Sequence, residues 1–345
     1  MKNPELKKYF YGYVFILLSI VFQILLSSCN DSNPVGGGAR INPPPAPISY
    51  YSPVWHPNGK IIGFNHTPLK SIHYNAGADY PDKYEFEHDS TGFWLINTDG
   101  TNMHRILPFT LSDPAWSPDG QWIVFDSGAQ IYKMRFTGEV FDTTTLVQLT
   151  TEGRNFFPSW SPDGQWIAFD SNLDTQEGGY RIWKMKPNSE NKKLVVDGRM
   201  SCWSLDSKWI IYIGFHSEIF KVNVDNPIEK LQLTHLNDNN IFASDNSYPK
   251  YSPDGTKVAF TSQFVGEQPQ IWIMNSDVSD LHQLTNKGVN VDAGASFSFS
   301  PDGKFIVYTQ YRFDKWPPQN GTLWIININT GSKKQLTFNP KERNN

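Results

Sequence analysis

Several kinds of chemistry are missing from this chain. No HExxH, EF-hand loop, phosphate loop, GxGxxG or GxSxG occurs in its 345 residues. That removes the short motifs of zinc proteases, calcium sites, nucleotide sites and α/β-hydrolases. Positive charge is not in excess either: 30 Lys and Arg face 34 Asp and Glu, a formal net charge of −4 that argues against a nucleic-acid groove. Cysteine is nearly absent, with Cys29 and Cys202 alone. Stability has to come from burial, not from a disulfide framework.

What the chain has in abundance is one phrase. It reads WHPNGKIIGF from Trp55, WSPDGQWIVF from Trp116, WSPDGQWIAF from Trp160, WSLDSKWIIY from Trp203, YSPDGTKVAF from Tyr251 and FSPDGKFIVY from Phe299. Self-similarity at this period marks a unit that stacks on copies of itself. Between copies the pattern continues in register. In the unit 156–196, FPSW reads as strand A, Ser161-Pro162-Asp163-Gly164 as a type I turn with a G1 bulge, QWIAFDS as strand B, RIWKM as strand C and KLVV as strand D. The expected fold is all-β, a six-bladed β-propeller of four-stranded antiparallel blades over residues 48–338, followed by a polar tail, 339–345. The fourth turn, Ser204-Leu205-Asp206-Ser207, lacks both Pro and Gly, so either Ser207 takes the left-handed conformation or the turn changes type, and a weaker or reshaped hairpin is expected there.

Aromatics recur at three places in every unit. The strand A place holds Trp55, Trp116, Trp160, Trp203, Tyr251 and Phe299; strands B and C each carry a matching set, from Phe64 to Tyr308 and from Trp94 to Trp324. Large flat side chains at equivalent places are what adjacent twisted sheets bury against each other, so they are assigned to the scaffold. Trp122, Trp166 and Trp209 share a place at the start of strand B. Of the 12 Trp, only Trp316 is left over.

The first 28 residues stand outside the repeat. Lys2, Lys7 and Lys8 precede an apolar run from Tyr9 to Leu26, the pattern of a signal peptide. The run ends in Leu26-Ser27-Ser28-Cys29, which resembles the lipobox of bacterial lipoproteins. That resemblance implies removal of 1–28, acylation of Cys29 with palmitate-type chains and, from Asn30, an outer-membrane address. A plain membrane-spanning anchor is the alternative, because about 18 apolar residues can just cross a bilayer. Residues 29–47 have the Gly- and Pro-rich composition of a linker.

The WSPDG core, followed by IAF, IWxMN and QLT, resembles the TolB-like, Pro-Asp-type relatives of WD repeats, over about residues 50–338. The resemblance implies a propeller of the bacterial envelope, facing the periplasm or the cell surface, that serves as a platform for protein contacts. The separate N-terminal α/β domain of TolB has no counterpart here beyond the linker, which puts a role in the Tol system in doubt.

Because strands alternate in direction, the A–B and C–D turns share one face and the B–C and D–A loops share the other. The first face is built from uniform turns. The second carries the insertions, and binding residues concentrate on irregular loops of rigid scaffolds. The candidate partner-binding residues are therefore His66, His73, Tyr74, Tyr80 and His88 in blade 1, and Tyr311, Arg312 and Trp316 in blade 6. Tyr, Trp and Arg are the types enriched at interface hot spots. The three histidines lack zinc-site spacing and no Cys joins them, so neither a metal nor another cofactor is expected. The leading expectation is a non-catalytic lipoprotein that binds an envelope protein; the alternative is a propeller that binds or processes a polysaccharide at its central channel.

Overall fold

The computed structural model describes residues 50–74, 81–175, 179–235, 244–264, 268–285, 290–291, 297–312 and 319–338. These belong to the larger of two compact units, Pro45–Asn345. They form a six-bladed β-propeller. Blade 1 takes strands A to D from Tyr50–Trp55, Ile61–His66, Gly92–Asn97 and His104–Leu107; blade 3 takes them from Asn155–Trp160, Ile167–Ser171, Arg181–Met185 and Lys193–Asp197. Pairing is antiparallel in the order A-B-C-D. Blade 6 splits its inner strand into Asn290–Val291 and Ser298–Phe299, both on the edge of Phe305–Arg312.

The A strands pack on their neighbours around the ring, so strand A is innermost. The core is divided among the seams between blades. Ile210 and Tyr212 face blade 3, whereas Ile211 and Ile213 face blade 5. Successive strand residues point to opposite faces, so a run such as Trp209–Ile213 is apolar throughout because both its faces are buried. The strand B aromatics, Phe64, Phe125, Phe169, Tyr212, Phe260 and Tyr308, are all buried, as the repeat predicts. Lysines of strand C lie over the tryptophans that open strand B: Lys133 over Trp122 at 4.7 Å, Lys184 over Trp166 at 4.6 Å and Lys221 over Trp209 at 5.3 Å.

The phrase itself is a hydrogen-bonded turn. In blade 3, Gly164 takes φ +69°, its N–H reaches Ser161 O at 2.9 Å, and Ser161 Oγ both donates to Asp163 Oδ1 and accepts from Trp166 N. In blade 4 the left-handed alternative holds and the hairpin is not reshaped. Ser207 adopts φ +58° and the turn keeps its shape, with Ser207 N on Ser204 O at 2.9 Å and Lys208 N on Asp206 Oδ1 at 3.0 Å. Pro and Gly are dispensable here because the Ser-x-Asp side-chain network is intact, and Ser207 Oγ accepts a bond from Asp163 N of blade 3 at 3.1 Å.

The QLT ending has a structural role of the same kind. Thr150, Thr234, Thr285 and Thr337 are buried, and their hydroxyls accept from the strand C N–H groups of Ile131, Ile219, Ile271 and Leu323 at 2.9–3.0 Å. Among the described residues no strand is shared between blade 1 and blade 6. The ring closes by packing: Tyr50, Trp55, Ile62, Phe64 and Ile96 meet Val307, Leu323, Ile325 and Leu336, and Trp55 N donates to Ser298 Oγ at 3.0 Å.

Candidate functional site

The blade 1 insertion folds into its own two-stranded hairpin, Leu69–Tyr74 with Pro81–Phe86. On it, His73 Nε2 lies 3.0 Å from Ser71 Oγ and 3.4 Å from Glu85 Oε1, and Ser71 Oγ donates to Glu85 Oε2 at 3.0 Å. A serine, a histidine and a carboxylate are together, but both partners approach the same ring nitrogen. A relay needs the hydroxyl on one nitrogen and the carboxylate on the other, so this cluster pins the hairpin instead of activating the serine.

His66 is not a loop residue. It ends strand B, is buried, stacks on Tyr50 at 4.3 Å and meets Trp94 edge-on at 5.4 Å. Tyr74 ends the first hairpin strand opposite Pro81, and His88 is exposed in the turn that follows the hairpin. In blade 6, Tyr311 pairs with Asn290 and Arg312 with Gln319, in a long ladder between Phe305–Arg312 and Gln319–Asn327. Tyr80, Trp316 and Cys29 lie outside the described residues.

The propeller axis is organised by a feature that the repeat does not announce. Ser52, Asp113, Phe157, Met200 and Tyr248 each stand three residues before the strand A aromatic, with φ between 43° and 57°. Ladder register breaks at each place. Left-handed backbone costs a non-Gly residue about 1–2 kcal/mol. The cost is offset by bonds across the seams. Phe157 N donates to Asp126 Oδ1 at 3.3 Å and Met200 N to Asp170 Oδ2 at 2.8 Å. In the first seam, Asn65 exchanges two bonds with the backbone of Leu111, at 2.6 and 2.8 Å. In blades 1 to 3 the residue after the strand B aromatic thus holds the chain at the next blade's inner strand.

Two of these bulges throw their side chains across the axis. The Phe157 ring of blade 3 meets Tyr248 of blade 5 at 5.7 Å, although blade 4 separates the two around the ring. Met200 of blade 4 packs on the cores of both seams that flank blade 5. Around this plug sit three carboxyls, an amine and a thiol. Burial lifts Asp113 to about 6, opposed by Lys250 of blade 5, and its carboxyl is hydrogen-bonded to Asp126 and Ser112. Burial, then the charge of Asp113, holds Asp126 well above the usual carboxylate range. Asp170 is also raised by burial, with the Met200 N–H opposing, and its Oδ1 has no partner. Burial lowers Lys250 and raises Cys202. The raised pKa keeps the Cys202 sulfur in its thiol form, the weaker nucleophile. Among the described residues no group of three or more His, Cys, Asp or Glu is placed to hold a metal ion.

Sequence reasoning passed over Phe215. It is 77% exposed in the short B–C connection of blade 4, on the irregular face. His216 and Ser217 beside it have φ +55° and +57°. Glu218 N to Phe215 O at 3.1 Å, Ser217 Oγ to Asp245 Oδ1 at 2.9 Å and Asn246 Nδ2 to Ser217 O at 2.7 Å hold this turn open. No motif marks the place; the only signal was an aromatic in a five-residue connection.

Residues 199–345 match the TolB beta propeller domain family. An uncharacterized protein of Agrobacterium fabrum is 25% identical over 214 residues, 60% of this chain and 68% of that protein. Among solved structures, one assigned to TolB from Agrobacterium tumefaciens superposes with a TM-score of 0.58 at 23% identity, covering 70% of this chain and 86% of that one. TolB from Acinetobacter baumannii gives 0.56 at 21% identity over 82% of this chain. The match spans 62% of the Acinetobacter protein, less than two thirds of its length. Lyases and peptidases share the fold at 10–14% identity, so the fold alone does not separate a binding platform from an enzyme.

Proposed function

We propose that this chain, a TolB-like β-propeller in fold and repeat, is a non-catalytic, lipid-anchored protein of the bacterial envelope that binds a protein partner on its irregular face. The observation that carries the reading is the contrast between an axis crossed by packed side chains and a built-up rim. Phe157, Met200 and Tyr248 converge there from three blades. The irregular face, meanwhile, carries the blade 1 hairpin, the exposed Phe215 and long strand pairs in blade 5 (Ser244–Tyr251 with Lys257–Phe264) and blade 6. Exposed aromatics on rigid supports are the usual anchors of protein interfaces.

The anchor reading rests on Cys29 at the end of the apolar run. Several acyl chains at about 0.8 kcal/mol per buried methylene hold a protein firmly to a membrane. The described chain begins at Tyr50, the start of strand A, at the irregular-face end of that strand.

The test is capture of envelope proteins by the full chain, side by side with Tyr311→Ala/Trp316→Ala and Phe215→Ala variants. Loss of the same partner in the variants, with unchanged melting, supports the platform. Turnover of a glycan panel by the purified protein, with no protein captured, overturns it. In parallel, Cys29→Ser moves the protein into the soluble fraction if acylation is the anchor, and leaves it on membranes if the apolar run itself spans.

A further inference from the structure

The turns of the uniform face touch one another at most seams. His56 of blade 1 lies 3.1 Å from Gly120 O and packs on Trp116 at 4.6 Å. Asp163 N reaches Ser207 Oγ at 3.1 Å. A methyl placed on Gly255 meets Leu205 at 3.5 Å, and one on Gly303 meets Pro253 at 3.7 Å. Gly164 and Gly59 have nothing within 4 Å. At Gly59, where blade 6 meets blade 1, the opening widens into a groove of about 690 Å³. That volume falls in the range of about 300–1,000 Å³ typical of ligand sites.

The groove is lined by Trp55, Phe305 and Ile325, with Lys333, Lys334 and Asp302 as its charged residues. Two of these charges are already engaged. Asp302 Oδ1 accepts from Ser300 Oγ at 2.6 Å and Lys304 N at 3.1 Å. Lys334 Nζ donates across the seam to Asp99 O at 2.8 Å. Lys333 is half-buried and has no acceptor among the described residues, and burial draws its pKa down. An ammonium that has lost part of its hydration without gaining a partner favours an incoming anion.

We propose that this seam groove binds a peptide segment of a partner protein that carries a carboxylate beside a large apolar side chain. The carboxylate pairs with Lys333 and the side chain covers Phe305, Pro57 and Pro301, above the buried Trp55 and Ile325. A free inorganic anion would leave that apolar surface bare. The groove lies on the uniform face, opposite the irregular one, so this site stands or falls separately from the platform proposed above.

The test uses the anionic aromatic dye 1-anilinonaphthalene-8-sulfonate and its uncharged relative N-phenyl-1-naphthylamine on the full chain. The expected result is one sulfonate dye per chain. Lys333→Met weakens its affinity at least about tenfold, the scale of a charge-assisted hydrogen bond, and leaves the uncharged dye unaffected. Thr98→Trp, which fills the groove from the blade 1 turn, abolishes the dye signal. Millimolar acetyl-Leu-Phe-Asp-amide displaces the dye and its Asn counterpart does not. Melting curves establish that both variants fold. Unchanged dye binding in both variants overturns the site, and dye binding without displacement by the Asp peptide overturns the assignment of the occupant.

Discussion

Aspartate behaves in opposite ways at two places of the same repeat. In the turns of the uniform face, Asp206, Asp254 and Asp302 accept from Ser204, Ser252 and Ser300 and from a backbone N–H, and these bonds hold their carboxyls below the ordinary range. At the axis, Asp113, Asp126 and Asp170 are raised, above all because they are buried. The turn carboxylates sit in water, whereas the axial ones are withdrawn from it, and the bonds they accept do not make up the loss. Solvation therefore sets how readily each carboxyl ionises, and the same residue type titrates in different ranges in the two regions.

The largest effect expected from breaking this contrast is at Asp170. Asp170→Ala leaves the Met200 N–H buried without an acceptor beside a left-handed residue, and should cost about 2–3 kcal/mol in denaturant unfolding. Asp170→Asn keeps an acceptor and removes the burial of a titrating group, so it should lie near wild type or above it. An equal loss in both variants would show that the carboxylate charge itself is required.

The pH dependence of stability comes next. A carboxyl raised to about 6 in the fold, against 3.8 unfolded, binds protons more readily when folded, so stability rises as pH falls through about 6 towards 4. The depressed turn carboxylates work the other way, and their contribution is lost as pH falls below about 4. Thermal melting should therefore peak near pH 4–5, about 1–2 kcal/mol above neutral pH, and Asp113→Asn should flatten the slope between pH 7 and 5. Melting that falls steadily from pH 7 downwards would contradict the axial assignment.

A turn serine is expected to matter less than Asp170. Ser300→Ala removes the donor to Asp302 and the acceptor of Phe305 N, for about 1 kcal/mol at neutral pH, and should make the acid limb of the pH curve shallower, because Asp302 then loses less on protonation. The smallest effect is at Ser207. Gly there would relieve about 0.5–1 kcal/mol of left-handed strain, but it forfeits the bond from Asp163 N at 3.1 Å, so the net change should stay within about 0.5 kcal/mol of zero. A clear gain in unfolding free energy would mean that this seam bond contributes little.

The features legible in the sequence were those that repeat. Six copies of one phrase, aromatics at fixed places and the Ser-x-Asp turn were enough for blade number, strand order and the scaffold role of nearly every Trp. The axis was not legible because its side chains do not repeat: the bulge position holds Ser, Asp, Phe, Met and Tyr in blades 1 to 5, and their convergence depends on ring geometry. The sequence places His66 in a loop because the blade 1 insertion begins just after it; strand B runs one pair further and stacks it on Tyr50. In blade 4 the missing Pro and Gly suggested a changed turn, but the side-chain network that shapes it was intact. Phe215 carries no signal in the sequence because its connection is only five residues long, yet that short turn, with two left-handed residues, displays the aromatic as well as a long insertion would.

The ring is fastened without a shared ladder, and this has a mechanical consequence. Tension on a tether at Tyr50 would load the inner strand of blade 1 directly, and at the blade 6 junction the resistance comes from nine packed side chains and scattered single bonds such as Trp55 N to Ser298 Oγ. No backbone zipper crosses that junction among the described residues. The circle behaves as a clasp, and under load the place where it parts is set by side chains alone.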